Sequence, residues 1–161
     1  MYYRYIHKKE EIKSDNRKIM IQDHRLTKTV IVDIDGTLAL MNNRSPFDYM
    51  AAGKDFPNVD LFRLIETLAE DSKIILLSGR EETSREVTEN WLKKYGFPKW
   101  EMLLMRAEKD YRPDDVIKKE LFDTHIKDKY YIMAVFDDRN KVVKMWRDMG
   151  LLCLQVYYGD F

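Results

Sequence analysis

The feature that most constrains the fold is a short apolar run that leads directly into two aspartates, Val30-Ile31-Val32-Asp33-Ile34-Asp35-Gly36-Thr37-Leu38. β-Branched residues without polar alternation predict a strand buried on both faces. Because alternate residues of a strand share a face, Asp33 and Asp35 leave the strand end together, and Gly36 permits a sharp turn there. Two adjacent carboxylates repel each other unless a cation lies between them or their roles diverge. Taken alone, the stretch is also compatible with a strand that closes in an Asx turn.

The rest of the chain alternates between apolar strands and amphipathic helices. Strands are predicted over residues 29–34, 73–80, 100–105, 130–136 and 152–157. Helices are predicted from about residue 59 and over 81–95, 113–125 and 140–149. This alternation favours an α/β fold with a mainly parallel five-stranded sheet and helices on both faces. In such sheets ligands bind beyond the carboxyl ends of the strands, which is where we expect the functional site.

Length and charge bound the domain organisation and the partners. The 161 residues suffice for one domain with a full hydrophobic core. We expect this domain at residues 28–161, preceded by an N-terminal extension at 1–27. A formal net charge of +0 gives no global attraction to nucleic acid or membrane, so any nucleic-acid contact must be local. No apolar segment reaches the roughly 20 residues of a membrane span, and no signal peptide is visible. Because the single cysteine, Cys153, cannot form an internal disulfide, we expect a buried thiol in a cytoplasmic protein.

Polar side chains lie at or just past the carboxyl ends of three predicted strands, which meet at one edge of the sheet. They are Asp33 with Asp35, Ser78-Gly79-Arg80, and Asp137 with Asp138. Four carboxylates without histidine or cysteine favour a hard cation, Mg²⁺ before Zn²⁺. A hydroxyl and fixed cations beside Mg²⁺ suit phosphoryl transfer, in which an aspartate can form an aspartyl-phosphate.

A phosphate-binding lysine is expected as well, and Lys118 is the candidate. It lies four residues after Asp114 and therefore on the same face of the predicted helix. As an isolated pair, these two residues are more typical of a surface ion pair. Their neighbours in the fold decide between the two interpretations.

In this order, the residues resemble the four motifs of the haloacid dehalogenase (HAD) superfamily of phosphotransferases. The motifs are Asp33-Ile34-Asp35-Gly36-Thr37, Ser78, Lys118 and Asp137-Asp138. The likeness narrows to the phosphatase domain of phage polynucleotide kinase/phosphatase, through residues 41–48, 78–80, 112–118, 136–147 and 153–161. The resemblance covers residues 28–161 and does not include 1–27.

The resemblance implies a Rossmann-like HAD fold with a minimal cap and a Mg²⁺-dependent polynucleotide 3′-phosphatase that acts on DNA or RNA ends. Asp33 would attack phosphorus and Asp35 would act as acid and base. Ser78 and Lys118 would bind the phosphoryl oxygens. The implied magnesium ligands are Asp33, the main-chain carbonyl of Asp35 and Asp138, with Asp137 in support. The implied substrate-binding residues are Thr37, Arg44, Gly79, Arg80 and Asp114.

Two features bear on activity and on substrate size. The only Gly-Lys, Gly53-Lys54, is followed by Asp55 and lacks the earlier glycine of a P-loop, so we expect no 5′-kinase activity. The segment 41–58 lies where many superfamily members insert a cap domain, and it is too short for a core of its own. The open site that follows suits a polymer end better than a buried metabolite.

Two other functions stay open at this point. One is a HAD phosphatase of mononucleotides or other small phosphomonoesters. The other is a non-catalytic module that binds phosphorylated nucleic-acid ends, which the intact Asp33 and Asp35 disfavour. A homo-oligomer and a separate kinase or ligase partner also stay open, whereas no membrane partner is expected.

Overall fold

The computed structural model describes residues 19–45 and 48–160. Most of the predicted extension, 1–27, therefore lies outside the described residues, and the boundary at residue 28 stays a prediction. The described end of this segment is tied to the core, because the Met20 amide donates to the Gly150 carbonyl at 3.0 Å. The Gln22 side chain likewise forms two hydrogen bonds with the Ile132 backbone, at 3.0 and 2.7 Å.

The strands of the described residues form one large sheet and one short ladder. In chain order they are β1 (Thr27–Val32), β2 (Ala39–Leu40), β3 (Phe56–Pro57), β4 (Lys73–Glu81), β5 (Met102–Arg106), β6 (Tyr130–Arg139) and β7 (Cys153–Gly159). Five of them make a parallel sheet in the order β5-β4-β1-β6-β7, and β2 pairs antiparallel with β3. The prediction of an α/β, Rossmann-like fold around a five-stranded sheet is confirmed.

Helices follow the strands as expected. They are α1 (Val59–Ala69), α2 (Arg85–Lys94), α3 (Asp114–His125) and α4 (Asn140–Asp148). The start predicted for α2 was too early, because Glu82–Ser84 forms a separate 3₁₀ turn. After α4, Gly150 adopts a φ of 86°, the left-handed conformation in which glycine commonly ends a helix. Over the described ranges, no helix combines the length and apolar character needed to cross a bilayer.

Apolar side chains cover both faces of the sheet. On one face, Val32 of β1 belongs to a buried cluster with Trp91 of α2. On the other face, Ile31 belongs to a buried cluster with Trp146 of α4. Successive residues of β1 therefore pack on opposite faces of the sheet, because side chains alternate between the two faces of a strand. The prediction of helices on both faces is confirmed, and Cys153 is buried in the second layer.

The segment 41–58, predicted to be irregular, contains more structure than expected. A 3₁₀ helix covers Tyr49–Lys54, with the side chain of Asp48 accepting from the Ala51 amide at 3.2 Å. Strand β3 then returns to pair with β2. Because the 3₁₀ helix packs on α2, the segment is a small addition to the main core, which is the minimal cap that was predicted.

Candidate active site

Strand β1 brings Asp33 to the carboxyl edge of the sheet. The chain beyond β1 stays beside β6, because the Asp33 amide donates to the Phe136 carbonyl at 2.9 Å. It then turns at Gly36, whose φ of 80° favours glycine. A Cβ at Gly36 would lie 2.2 Å from Oδ2 of Asp138, so this position accepts no side chain without a shift. The turn therefore lies directly against Asp138 of β6, whose carboxylate is close to that of Asp33.

Lys118 of α3 lies among the acidic residues. Its Nζ donates to Oδ1 of Asp33 at 2.7 Å and to Oδ2 of Asp137 at 2.8 Å. It also lies 3.8 Å from Asp114, and with a side chain only 2% exposed the two do not form a surface ion pair. Burial opposes the charge of Lys118, but the carboxylates of Asp137 and Asp33 outweigh burial and hold its pKa well above the ordinary value. Lys118 is therefore a charged donor in a fixed position.

Three buried carboxylates, those of Asp33, Asp137 and Asp138, each offer one oxygen within 4.8 Å of the others. Burial, together with repulsion from Asp137 and Asp138, raises the pKa of Asp33 well above its ordinary value. The positive charge of Lys118 lowers this pKa but offsets only part of the rise. Burial and the charge of Asp137 raise the pKa of Asp138 to about 6. Since one lysine leaves negative charge uncompensated among oxygen donors, the residues fit a hard cation such as Mg²⁺.

Asp35 lies apart from this cluster and is held by two arginines. Nη2 of Arg44 donates to Oδ1 of Asp35 at 2.6 Å, and Arg80 donates to both of its oxygens at 2.8 Å. Burial works to raise the pKa of Asp35, but Arg80 and Arg44 outweigh it, and the pKa lies below its ordinary value. Asp33 and Asp35 thus have opposite pKa shifts, the pattern of two carboxyl groups with different roles.

Asp55, which sequence reasoning missed, fixes the arginines. Its carboxylate accepts from Nε of Arg44 at 3.0 Å and from Nη2 at 2.7 Å, and lies 3.5 Å from Nη2 of Arg80. The side chain is fully buried, and the Asp55 carbonyl accepts from Nε1 of Trp91 at 2.8 Å. Asp55 follows a segment without periodicity, so no signal in the sequence distinguishes it from an exposed loop aspartate.

Asp114 anchors the irregular end of β4, where the pairing with β5 shifts register between Ser78 and Glu81. Arg106 donates to Oδ1 of Asp114 at 3.0 Å and to the Gly79 carbonyl at 2.8 Å. Nη1 of Arg139 lies 3.3 Å from the other oxygen of Asp114. A Cβ at Gly79 would lie 2.2 Å from Oδ1 of Asp114, so a glycine permits this close approach. Sequence reasoning missed Arg106 and Arg139 as partners, because nothing local joins the ends of β5 and β6 to the start of α3.

The predicted residues meet at one edge, but they do not all face the same space. A cavity of about 480 Å³ opens there, and the predicted residues that line it are Asp33, Asp35, Gly79, Asp114, Lys118 and Asp138. The remaining ones lie behind the lining: Thr37, Arg44, Ser78, Arg80 and Asp137. Oγ of Ser78 accepts from the Arg80 amide at 3.2 Å, and Thr37 donates to Asp138 at 3.3 Å. Their contacts with substrate stay predictions.

Residues 27–161 match the family model of the polynucleotide kinase PNKP phosphatase domain. A protein of Autographa californica nuclear polyhedrosis virus, named as a bifunctional polynucleotide kinase/RNA ligase, is 38% identical over 130 residues. That alignment covers 79% of this chain and 19% of the viral protein.

Two solved structures are similar to the whole described fold. One, described as the Pnkp1/Rnl/Hen1 RNA repair complex, is 45% identical with a TM-score of 0.88. The match covers 92% of this chain and 48% of the chain in that structure. A second, described as the Pnkp1/Rnl/Hen1 complex, is 44% identical with a TM-score of 0.86, covering 94% and 52% of the two chains. This chain therefore spans about half the length of the similar chains in these structures, and less of the viral relative.

Proposed function

The chain belongs to the family of polynucleotide kinase PNKP phosphatase domains, which are phosphomonoester hydrolases, and from this premise we propose that it is a Mg²⁺-dependent polynucleotide 3′-phosphatase. It would remove 3′-phosphates from DNA or RNA ends through an aspartyl-phosphate, within residues 28–161. The observation that carries the proposal is the contrast between two aspartates two residues apart. Asp33 lies on a buried lysine beside two more carboxylates, whereas Asp35 lies between two arginines.

In the proposed first step, an oxygen of Asp33 forms a bond to phosphorus while the bond from phosphorus to the 3′ oxygen breaks. Lys118 and Ser78 bind the phosphoryl oxygens, and Asp35 gives a proton to the departing 3′ oxygen. Because the arginines hold the pKa of Asp35 low, its carboxyl is ionised at neutral pH. The proton therefore comes from the substrate: a phosphomonoester that binds as its monoanion (second pKa about 6) passes its proton to Asp35, which passes it on to the departing 3′ oxygen.

In the second step, water attacks the phosphorus of the aspartyl-phosphate and Asp35 accepts the proton of that water. The bond between Asp33 and phosphorus breaks, which releases inorganic phosphate and restores the Asp33 carboxylate. Because its pKa is low, Asp35 stays an ionised carboxylate after it has given up its proton, and it can therefore accept the proton of the water.

The magnesium site is proposed at Asp33 and Asp138, with the main-chain carbonyl of Asp35 as a third ligand and Asp137 in support. The three mutually repelling carboxylates support this assignment. When bound, Mg²⁺ would neutralise charge on the phosphoryl oxygens.

A nucleic-acid end is proposed as the substrate because the cap is minimal and because the names of the similar proteins refer to nucleic-acid repair. One solved neighbour is described as an RNA repair complex, and the viral relative is named for polynucleotide kinase and RNA ligase. For the same reason we propose a kinase or ligase as a partner. This chain has no P-loop, so we propose that it does not itself phosphorylate 5′ ends. Its lone thiol, Cys153, supports a site of action in the cytoplasm.

A substrate panel tests this proposal. We expect a higher kcat/KM for 3′-phosphorylated RNA or DNA oligonucleotides than for a 3′-mononucleotide, loss of activity in EDTA, and recovery on adding Mg²⁺. With ATP, 5′-hydroxyl ends should stay unphosphorylated. Equal kcat/KM for the mononucleotide would indicate a phosphatase of small phosphomonoesters. Tight binding of phosphorylated ends without phosphate release would indicate a non-catalytic module.

The buried Asp55 provides a prediction about the acid. In Asp55→Asn, the two arginines lose their shared anchor, and Asp35 loses its fixed position for proton transfer. We expect kcat/KM on a 3′-phosphorylated oligonucleotide to fall about a hundredfold, the usual contribution of general acid catalysis. The loss on para-nitrophenyl phosphate should be much smaller, because p-nitrophenolate leaves without a proton.

The measure kcat/KM suits this comparison because it reports only the steps up to phosphoryl transfer. Asp60→Asn, on the exposed first turn of α1, is the matched control and should leave both substrates unaffected. Equal losses on the two substrates for Asp55→Asn would show that Asp55 does not act through the leaving group.

A further inference from the structure

The side chain of Arg106 binds the backbone of the loop between β5 and α3. Nη1 of Arg106 donates to the carbonyls of Asp110 and Arg112, both at 2.7 Å. The side chain is only 12% exposed, and its Nη2 donates to Asp114 at the edge of the cavity. The residue between the two bound carbonyls, Tyr111, therefore has a backbone that is fixed relative to the active site.

Tyr111 is 85% exposed, yet it lines the same cavity as Asp33 and Lys118. The exposed tyrosines of β7, Tyr157 and Tyr158, do not line this cavity. A ring surrounded by water contributes little to the core, so packing does not explain this placement. A fixed backbone and a side chain with two rotatable torsions lower the entropy lost when a ligand contacts the ring.

The charged groups around Tyr111 are bound to one another. Arg112 contacts Asp110 at 2.5 Å and Glu120 at 2.6 Å, and Lys109 contacts Glu108 at 3.1 Å. Each of these cations has an acidic partner, so this part of the rim gives little net attraction for a phosphate. What it offers a ligand is the face of an aromatic ring.

We propose that Tyr111 stacks on the base of the 3′-terminal nucleotide and thereby selects polynucleotide ends over phosphates that lack a base. The inference rests on the proposed 3′-phosphatase function and names the part of the substrate that this rim recognises. Stacking accepts every base, because each has an aromatic face, so a general end-processing site gains affinity without sequence preference. Tyr111 would position the nucleotide while Asp33 and Lys118 act on its phosphate.

A double-mutant cycle between protein and substrate tests this proposal. It compares wild type and Tyr111→Ala on two 3′-phosphorylated oligonucleotides that differ only in whether the terminal nucleotide carries a base or is abasic. We expect wild type to prefer the base about five- to a hundredfold in kcat/KM, the range for stacking of one base on an aromatic side chain. Tyr111→Ala should lose most of that preference, with its loss confined to the substrate that carries the base.

Two further variants separate stacking from other roles. Tyr111→Phe should keep the preference, because stacking needs the ring and not the hydroxyl. Tyr157→Ala removes another largely exposed tyrosine, outside the cavity, and should also keep the preference. A preference that survives in Tyr111→Ala, or is lost in Tyr111→Phe, overturns the proposal while the 3′-phosphatase function stands. If wild type releases phosphate from neither oligonucleotide but does hydrolyse acetyl phosphate, the proposed function itself fails.

Discussion

Asp33→Asn is expected to lower kcat on a 3′-phosphorylated oligonucleotide by at least about a thousandfold, because an amide oxygen does not attack phosphorus as a carboxylate does. Asparagine has the same shape, and its oxygen can still accept from Nζ of Lys118, which lies 2.7 Å away in the native site. Removing one of three mutually repelling carboxylates also relieves charge. The variant should therefore fold and fail only in chemistry, which phosphate release and thermal unfolding measure separately.

Asp123→Asn on the exposed side of α3 is the matched control and should leave kcat unchanged. A complementary readout is acid quenching of wild type during turnover of a radiolabelled 3′-phosphate, which should leave label on Asp33. Unchanged phosphate release by Asp33→Asn, or label on another residue, would contradict the assigned nucleophile.

Lys118→Met is expected to destabilise the protein by about 3–5 kcal/mol at pH 8, the cost of removing one partner from a buried ion pair. Methionine fills similar space but leaves Asp33 and Asp137 without the cation that contacts each of them. Without the lysine, the pKa of the Asp33 carboxyl in the folded protein rises further above its unfolded value. A carboxyl whose pKa is raised in the folded state stabilises the folded protein at low pH, and this stabilisation is lost as the pH rises. The stability deficit of Lys118→Met should therefore be smaller at pH 5 than at pH 8.

Urea unfolding of both proteins at the two pH values measures this effect. Mg²⁺ should recover part of the lost stability at pH 8, since it would supply positive charge to the same carboxylates. Lys119→Met, one residue along and 51% exposed, is the matched control and should change stability by no more than about 0.5 kcal/mol. A stability loss for Lys118→Met that is independent of pH would show that packing, and not charge, is what the lysine supplies.

Much of the fold follows from local pattern. The apolar run of β1, the alternation of strands and helices, and the glycine after α4 all lie where short-range rules predict them. Parallel strands place their carboxyl ends at one edge, so the meeting of Asp33 with Asp138 was also predictable. The boundaries of α2 and the structure within 41–58 were not, because tertiary contacts set them: the 3₁₀ helix of that segment packs on α2.

The partners of the predicted side chains could not be read from the sequence. Arg44 and Arg80 suit phosphate by their chemistry, yet in the structure both lie on Asp35 and are anchored by Asp55. Arg106 joins the end of β5 to Asp114 and to the loop that carries Tyr111. None of these contacts follows a period of 2 or 3.6 residues.

The sequence by itself determined the five strands of the main sheet, the edge that carries the acidic residues and the residue types that gather there, because the burial period and the direction of the chain are local properties. Only the tertiary structure decided that Asp33 faces a lysine while Asp35 faces arginines. That difference depends on which distant side chains pack within hydrogen-bond distance of each carboxylate, and it is what shifts the two pKa values in opposite directions.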